Sequence, residues 1–145
     1  MPDFTYEHDA YRNGYTAVCG CDEAGRGPLC GPVVAAAVIL PPDIVIEGLN
    51  DSKKLTEKKR EALYTKITEV AVAYGIAEAT PEEIDTVNIL NASMLAMRRA
   101  IEKLGVAADF ALIDGNCTRG FPIPTQAIVK GDALSASIAA ASVLA

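Results

Sequence analysis

Asp22 and Glu23 stand side by side at the end of an apolar run, in CGCDEAGRGPLCGP (residues 19 to 32), and Gly25-Arg26-Gly27 follows at once. Acid beside acid does nothing for stability. Like charges repel, and one carboxyl is pushed up unless a cation sits between them. Asp114 and Asp132 lie in comparable settings, each beside a glycine at an expected strand end or helix start. Sites in α/β sheets are built at strand ends, where the scaffold is fixed and the loops leave room. Two carboxylates from one strand end, with others from neighbouring ends, make a hard oxygen donor set. Mg²⁺ or Mn²⁺ takes such ligands together with waters and phosphate oxygens. Each acid also has an ordinary explanation: Asp114-Gly115 is a common turn dipeptide, Asp132 can cap a helix, and Asp22-Glu23 can open a loop. Spacing alone does not bring the four together.

Gly25-Arg26-Gly27 is too short for a P-loop, no Gly-Lys-Ser/Thr is present, and the glycines do not open a strand-to-helix turn as a dinucleotide fingerprint requires. Glycines do let backbone amides approach a ligand, and an intervening Arg can grip phosphate. Cys19, Cys21, Cys30 and Cys117 lack zinc spacing, and the single histidine, His8, lies far from them. Three of the four sit in apolar or glycine-rich stretches and read as small buried thiols.

The elements that must position these acids follow from pattern. Thr16 to Cys21 reads as a buried strand ending at Asp22, and Val33 to Leu40 as a second strand stopped by Pro41-Pro42. The short connection makes them an antiparallel pair. Thr56 caps a helix running to about Glu69, with Leu63, Ile67 and Val70 on one face. Val70 to Thr80 is a third strand. Thr80-Pro81-Glu82-Glu83 is a capping box with Pro at the first helical position, opening a helix interrupted near Asp85 to Asn88. Leu90, Met94, Met97, Ile101 and Leu104 recur at helical spacing as a core stripe, not a binding face, and Gly105 is the stop. Asp109 to Asp114 and Gln126 to Lys130 are further strands, and Asp132 to Ala145 is a small-residue helix. Residues 1 to 14 read as a loosely held arm. The order β-β-α-β-α-β-β-α makes a mixed sheet with helices packed on it.

The chain has 145 residues, half of them hydrophobic, which fits one domain with a real core. No apolar run approaches the ~18 residues of a membrane span, and no secretory h-region is visible at the N-terminus. A cytoplasmic protein with no membrane partner is the expectation. Net charge is −6, which taken alone argues against nucleic acid. The distribution is more permissive, because Lys53, Lys54, Lys58, Lys59 and Arg60 fall within eight residues. That run is either a solvated helix face or a phosphate-contact patch.

Taken together, these residues resemble a family. DEAGRGPLCGPVVAAAVIL is similar to the opening signature of type 2 ribonuclease H (ribonuclease HII). The likeness continues in Asp51-Ser52-Lys53-Lys54-Leu55, in Ile113-Asp114-Gly115-Asn116, and in Lys130-Gly131-Asp132 followed by SIAAASVLA, in the family's order and over almost the whole chain. The resemblance implies an α/β, ribonuclease H-like fold, with a five-stranded mixed sheet flanked by helices, in one domain spanning 1–145. It implies endonucleolytic hydrolysis of RNA in RNA/DNA hybrids and at ribonucleotides embedded in duplex DNA, leaving 3′-hydroxyl and 5′-phosphate ends, in DNA replication and repair. Asp22, Glu23, Asp114 and Asp132 match the metal-binding and catalytic carboxylates of a two-ion mechanism using Mg²⁺ or Mn²⁺, with Asp22 as the bridging ligand. Gly25, Arg26 and Gly27 match the motif that reads the 2′-hydroxyl at an RNA–DNA junction, and Lys53 matches a lysine near the phosphates. Ser52 and Asn116 lie in matching motifs. A monomer is implied. Family members continue past the ASVLA helix with a Lys-containing extension, further helices and a tyrosine that packs at the junction nucleotide. The expectation is therefore a chain cut short, with a complete metal cage but weakened substrate binding. The alternative is a hybrid-binding fragment with little or no catalysis.

Overall fold

The central strands are buried on both faces, and only the strand Ala73–Ala79 alternates buried with exposed residues. The computed structural model describes residues 2–24, 31–49 and 55–145. Its five strands are β1 (Val18–Ala24), β2 (Val33–Ile39), β3 (Ala73–Ala79), β4 (Phe110–Asp114) and β5 (Thr125–Ile128), in the order β3-β2-β1-β4-β5. The β1–β2 and β2–β3 pairs are antiparallel, whereas β1–β4 and β4–β5 are parallel, so the sheet is mixed as expected. The helices are α1 (Thr5–Arg12), α2 (Glu57–Val70), α3 (Pro81–Glu102) and α4 (Ala136–Leu144).

Successive strand residues point to opposite faces, and the two faces are covered by different helices. Cys19 and Cys21, Val33, Ala35, Ala37 and Ile39 pack with Met94, Met97 and Ile101 of α3. On the other face Ala36, Val38 and Leu40 pack with Leu63 and Ile67 of α2 and with α4. The alanines of β2 bring both layers close. Glycine goes further on each side: a Cβ at Gly20 would lie 2.3 Å from the Ser137 carbonyl carbon, and one at Gly75 would lie 2.2 Å from the Ala100 carbonyl oxygen. Helix backbone therefore rests directly on strand backbone at both places.

β1 runs three residues beyond its expected end. Glu23 still pairs with Ala35 and Ala24 with Val34, so Asp22 and Glu23 lie inside the strand. Residues 1–14 are also not a loose arm. Phe4 and Ala10 are buried, and Tyr6, Tyr11 and Tyr15 pack on the Val18, Leu112, Ile128 and Ile138 cluster. These apolar and aromatic contacts hold the segment against the sheet.

α3 carries the expected start. Thr80 Oγ1 accepts from the Glu83 N–H at 3.2 Å, and Glu83 Oε1 accepts from the Thr80 N–H at 3.0 Å. Arg99 hydrogen bonds to Glu83, and that contact is the main reason its carboxyl is held down at about 2. Thr80→Ala should lower stability by about 1 kcal/mol. A shift of the urea midpoint at unchanged slope is the check. The expected interruption is a single residue, Asn88, with φ 70 and ψ 171 inside the helix.

Candidate active site

Parallel pairing of β1 with β4 sets Cys21 opposite Ile113. One residue further along, Asp22 and Asp114 stand at adjacent strand positions on the α4 side of the sheet. Asp22 is only 5% exposed. Its carboxyl is pushed up to about 8, first by burial and then by the Asp114 charge, against the opposing hydrogen bond from the Glu23 N–H to Asp22 Oδ1 at 2.8 Å.

Asp132 arrives from the far edge. β5 ends at Ile128, Lys130 adopts a left-handed conformation (φ 57, ψ 37), and a single 3-10 turn over Gly131–Ala133 follows. The Asp132 N–H donates to Asp114 Oδ1 at 3.3 Å, and Asp132 is 6% exposed. Gly131 makes this approach feasible, since a Cβ there would lie 2.6 Å from Ile138 Cδ1 and 3.3 Å from Asp114 Oδ1. Asp132 caps no α-helix: Ser135 caps α4 by accepting from the Ile138 N–H at 3.2 Å.

Glu23 takes the other side. As the strand alternates, it faces α3, where Glu23, Asp114, Gly115, Asn116 and Cys117 line a cavity of about 100 Å³ with Leu90, Ser93, Met94 and Met97. This arrangement sends the Asp22 and Glu23 side chains to opposite faces, yet the Glu23 charge still pushes the Asp22 carboxyl up, by less than the Asp114 charge does. It also explains why, among the described residues, no three His, Cys, Asp or Glu groups are arranged to hold one ion as they stand. The donors still suit a hard cation. Two buried aspartates, Asp22 and Asp132, lie beside Asp114, and the protonation preference of Asp22 is what a divalent charge would reverse.

The core stripe of α3 needs a matching correction. Met94, Met97, Ile101 and Leu104 are buried, but Leu90 is 44% exposed, and Leu90, Met94 and Met97 wall this cavity. The stripe is core at its C-terminal end and site wall at its N-terminal end, just past Asn88. Sequence periodicity cannot separate these roles. Asn116 lines the same cavity. Gly25, Arg26, Gly27, Ser52 and Lys53 lie outside the described residues, as do Cys30 and Lys54. Cys19 and Cys21 are buried with Sγ atoms 3.9 Å apart, and the Cys19 contact together with burial pushes the Cys21 thiol up. Both are structural thiols.

A wider cleft of about 970 Å³ lies along α2, lined by Val45, Glu47, Leu55, Lys59, Leu63 and Lys66 among others, with none of the four acids. Volume alone would favour it, but its charges are mixed and no carboxylate pair is held there. Among the described residues no helix is long and apolar enough to cross a membrane.

A central strand carrying an aspartate, antiparallel to its predecessor in the sheet and parallel to the strand carrying the next acid, with a third acid beside the edge strand, defines a ribonuclease H-like protein. The ribonuclease HII family model matches residues 19–145, and the chain belongs to that family. It is 65% identical over 128 residues to ribonuclease HII of Dechloromonas aromatica (strain RCB), covering 88% of this chain and 65% of that one. It is 58% identical over 146 residues to ribonuclease HII of Sinorhizobium fredii (strain NBRC 101917 / NGR234), covering all of this chain and 63% of that one. The chain thus spans a little under two-thirds of these relatives. Among solved structures, ribonuclease H2 from Pyrococcus horikoshii OT3 superposes with a TM-score of 0.72 at 26% identity, over 89% of this chain and 70% of that one.

Proposed function

We propose that residues 1–145 form one catalytic domain of a metal-dependent endonuclease that hydrolyses the RNA strand of RNA/DNA hybrids and incises duplex DNA at embedded ribonucleotides. The observation that carries this reading is buried Asp22 paired with half-buried Asp114, to which the Asp132 backbone N–H donates. Asp22, Asp114 and Asp132 would hold divalent ions, Mg²⁺ or Mn²⁺, from the α4 side, and Glu23 would complete the set from the α3 side. Such ions supply, when bound, activation of water and stabilisation of the leaving 3′-oxygen. This chain's own part is to hold the acids on rigid strand ends and to wall the site with Leu90, Met94 and Met97. Gly25, Arg26 and Gly27 are assigned to sensing the 2′-hydroxyl, the group that marks RNA. Lys53 is assigned to phosphate contact, and Ser52 and Asn116 to substrate contact.

The test is cleavage of a duplex with one ribonucleotide in Mg²⁺ or Mn²⁺, with Asp114→Asn as control. Asp114→Asn should lower the rate at least about a thousandfold, an effect of about 4 kcal/mol on the barrier, and the products should carry 3′-hydroxyl and 5′-phosphate ends. A second reading is a hybrid-binding unit with weak or no catalysis. Duplex binding without cleavage by the unaltered chain would establish that reading and reject the first.

A further inference from the structure

Glu7 is completely buried, an unusual state for a carboxylate. It reaches from α1 across the sheet end to the start of α4. Its Oε2 accepts from Ser135 Oγ at 2.9 Å and from the Ser137 N–H at 3.0 Å, while Oε1 is buried with no hydrogen-bond partner among the described residues. The contact belongs to a larger clamp. The Ala136 N–H donates to Asp3 O at 2.9 Å, the Asp3 N–H donates to Leu134 O at 3.1 Å, and Ser135 Oγ accepts from the Ile138 N–H. Asp3, Glu7 and Ser135 thus take the first three N–H groups of α4, which no intrahelical carbonyl can reach.

The turn that carries Asp132 is fastened to the same point. The Ser135 N–H donates to Gly131 O at 2.7 Å and the Leu134 N–H to the same oxygen at 3.0 Å. At its other end the turn is held by Asp114 through the Asp132 N–H. The first turn of α4 in turn sits on Gly20, two residues before Asp22. A chain of short, directional contacts therefore runs from Glu7 through Ser135 to Gly131 and Asp132.

We propose that Glu7 is a positioning residue for the candidate metal site: its buried carboxylate anchors the Ser135–Ser137 segment and thereby fixes the Gly131–Ser135 turn that presents Asp132 to Asp114. The proposal rests on the metal-binding reading of Asp132. Glu7 itself touches neither substrate nor metal. The N-terminal segment is then part of the site's support rather than an appendage.

The experiment is Mn²⁺ titration of the metal-free protein, followed by the paramagnetic resonance signal of the free ion. Amide hydrogen exchange over residues 133–137 is measured on the same samples before metal is added. Glu7→Ala should weaken Mn²⁺ binding roughly tenfold, as loss of a ligand's support does, and speed exchange in that segment by about tenfold or more. Glu7→Gln keeps an oxygen acceptor and should stay within about twofold of the unaltered protein in both. Leu104→Ala, buried on the α3 side, should lower the melting temperature yet leave Mn²⁺ binding unchanged. A Glu7→Ala protein that merely melts earlier, with Mn²⁺ bound as tightly as before, overturns the proposal. If Glu7→Ala does not fold, Ser135→Ala removes the same link from the other side and is judged by the same two readouts. If the unaltered protein binds no Mn²⁺, the metal reading fails. The positioning role then falls with it whatever the exchange shows, whereas Mn²⁺ bound by the unaltered protein and equally by Glu7→Ala refutes the positioning role alone.

Discussion

Asp22→Asn should make the metal-free protein more stable at pH 8 while abolishing cleavage. The folded-state carboxyl titrates at about 8, against an ordinary value of 3.8. Below about pH 4 the group is protonated folded or unfolded, and it costs nothing. Between about 4 and 8 the folded state must take up a proton that the unfolded state has released, so stability falls as pH rises. The slope for such a group is about 1.4 kcal/mol per pH unit, and the full span sets a ceiling on the order of 5 kcal/mol. Movement of Asp22 away from Asp114 and entry of water cut that figure, and a gain of about 2 kcal/mol for Asp22→Asn at pH 8 is expected. The asparagine keeps an oxygen for the Glu23 N–H, so the gain isolates the charge. At pH 4 the two proteins should unfold alike. Divalent ions should reverse the order at pH 8, stabilising the unaltered protein by mass action and leaving Asp22→Asn unmoved. Urea denaturation at pH 4 and pH 8, with and without Mg²⁺, reads all of this. A variant no more stable than its parent at pH 8 would show that the Asp22–Asp114 pair carries no such penalty. The loss of cleavage, at least about a thousandfold, is measured on the single-ribonucleotide duplex.

The opposite signs of these two effects express what the site is: a stability cost retained at the point where chemistry is proposed. The cost was half legible in the sequence. Asp22 beside Glu23 signalled conflict, and the Glu23 charge does push the Asp22 carboxyl up, but the Asp114 charge pushes it further. Adjacent residues on a strand diverge, whereas Asp22 meets Asp114 only because β1 and β4 run parallel with Cys21 opposite Ile113. Local patterns carried the local features faithfully. The Thr80 capping box, the Asn88 interruption, the Thr56 cap and the antiparallel first pair all depend on contacts within a few residues or on one short connection. The errors fall where long-range partners decide. β1 continues through Glu23 because β2 still pairs with it. The segment before residue 15 is ordered by aromatic contacts to β4 and α4. Leu90 continues a helical stripe in sequence, yet the core it would join has already given way to the site cavity. Glu7 gave no sequence signal, because a lone acid in a polar segment looks solvated until its serine partners, 128 and 130 residues away, are known.

Gly20→Ala should be severely destabilising. The glycine lies mid-strand in β1, faces α4, and has no left-handed φ to explain it. Its reason is proximity. An added Cβ would lie 2.3 Å from the Ser137 carbonyl carbon and 2.4 Å from the Ile138 nitrogen, both backbone atoms. Backbone cannot swing aside as a side-chain tip can, so α4 must lift from the sheet. Overpacking of this kind costs about 3 kcal/mol or more, a fall of roughly 10 °C in melting temperature for a domain of this size. Gly131→Ala gives the contrast: its closest contact is Ile138 Cδ1, the end of a side chain that can rotate, and about 1 kcal/mol is expected. Gly31→Ala meets nothing within 4 Å and should stay within about 0.5 kcal/mol. The ranking Gly20, Gly131, Gly31 in thermal unfolding is thus a direct readout of what each missing side chain makes room for. The site provides the second readout. Lifting α4 shifts the Ser135–Ser137 segment and with it the turn bearing Asp132, so Gly20→Ala should weaken Mn²⁺ binding well before the protein melts. A Gly20→Ala protein with an unchanged melting temperature would mean that α4 does not rest on β1 as described, and the placement of Asp132 beside Asp114 would fall with it.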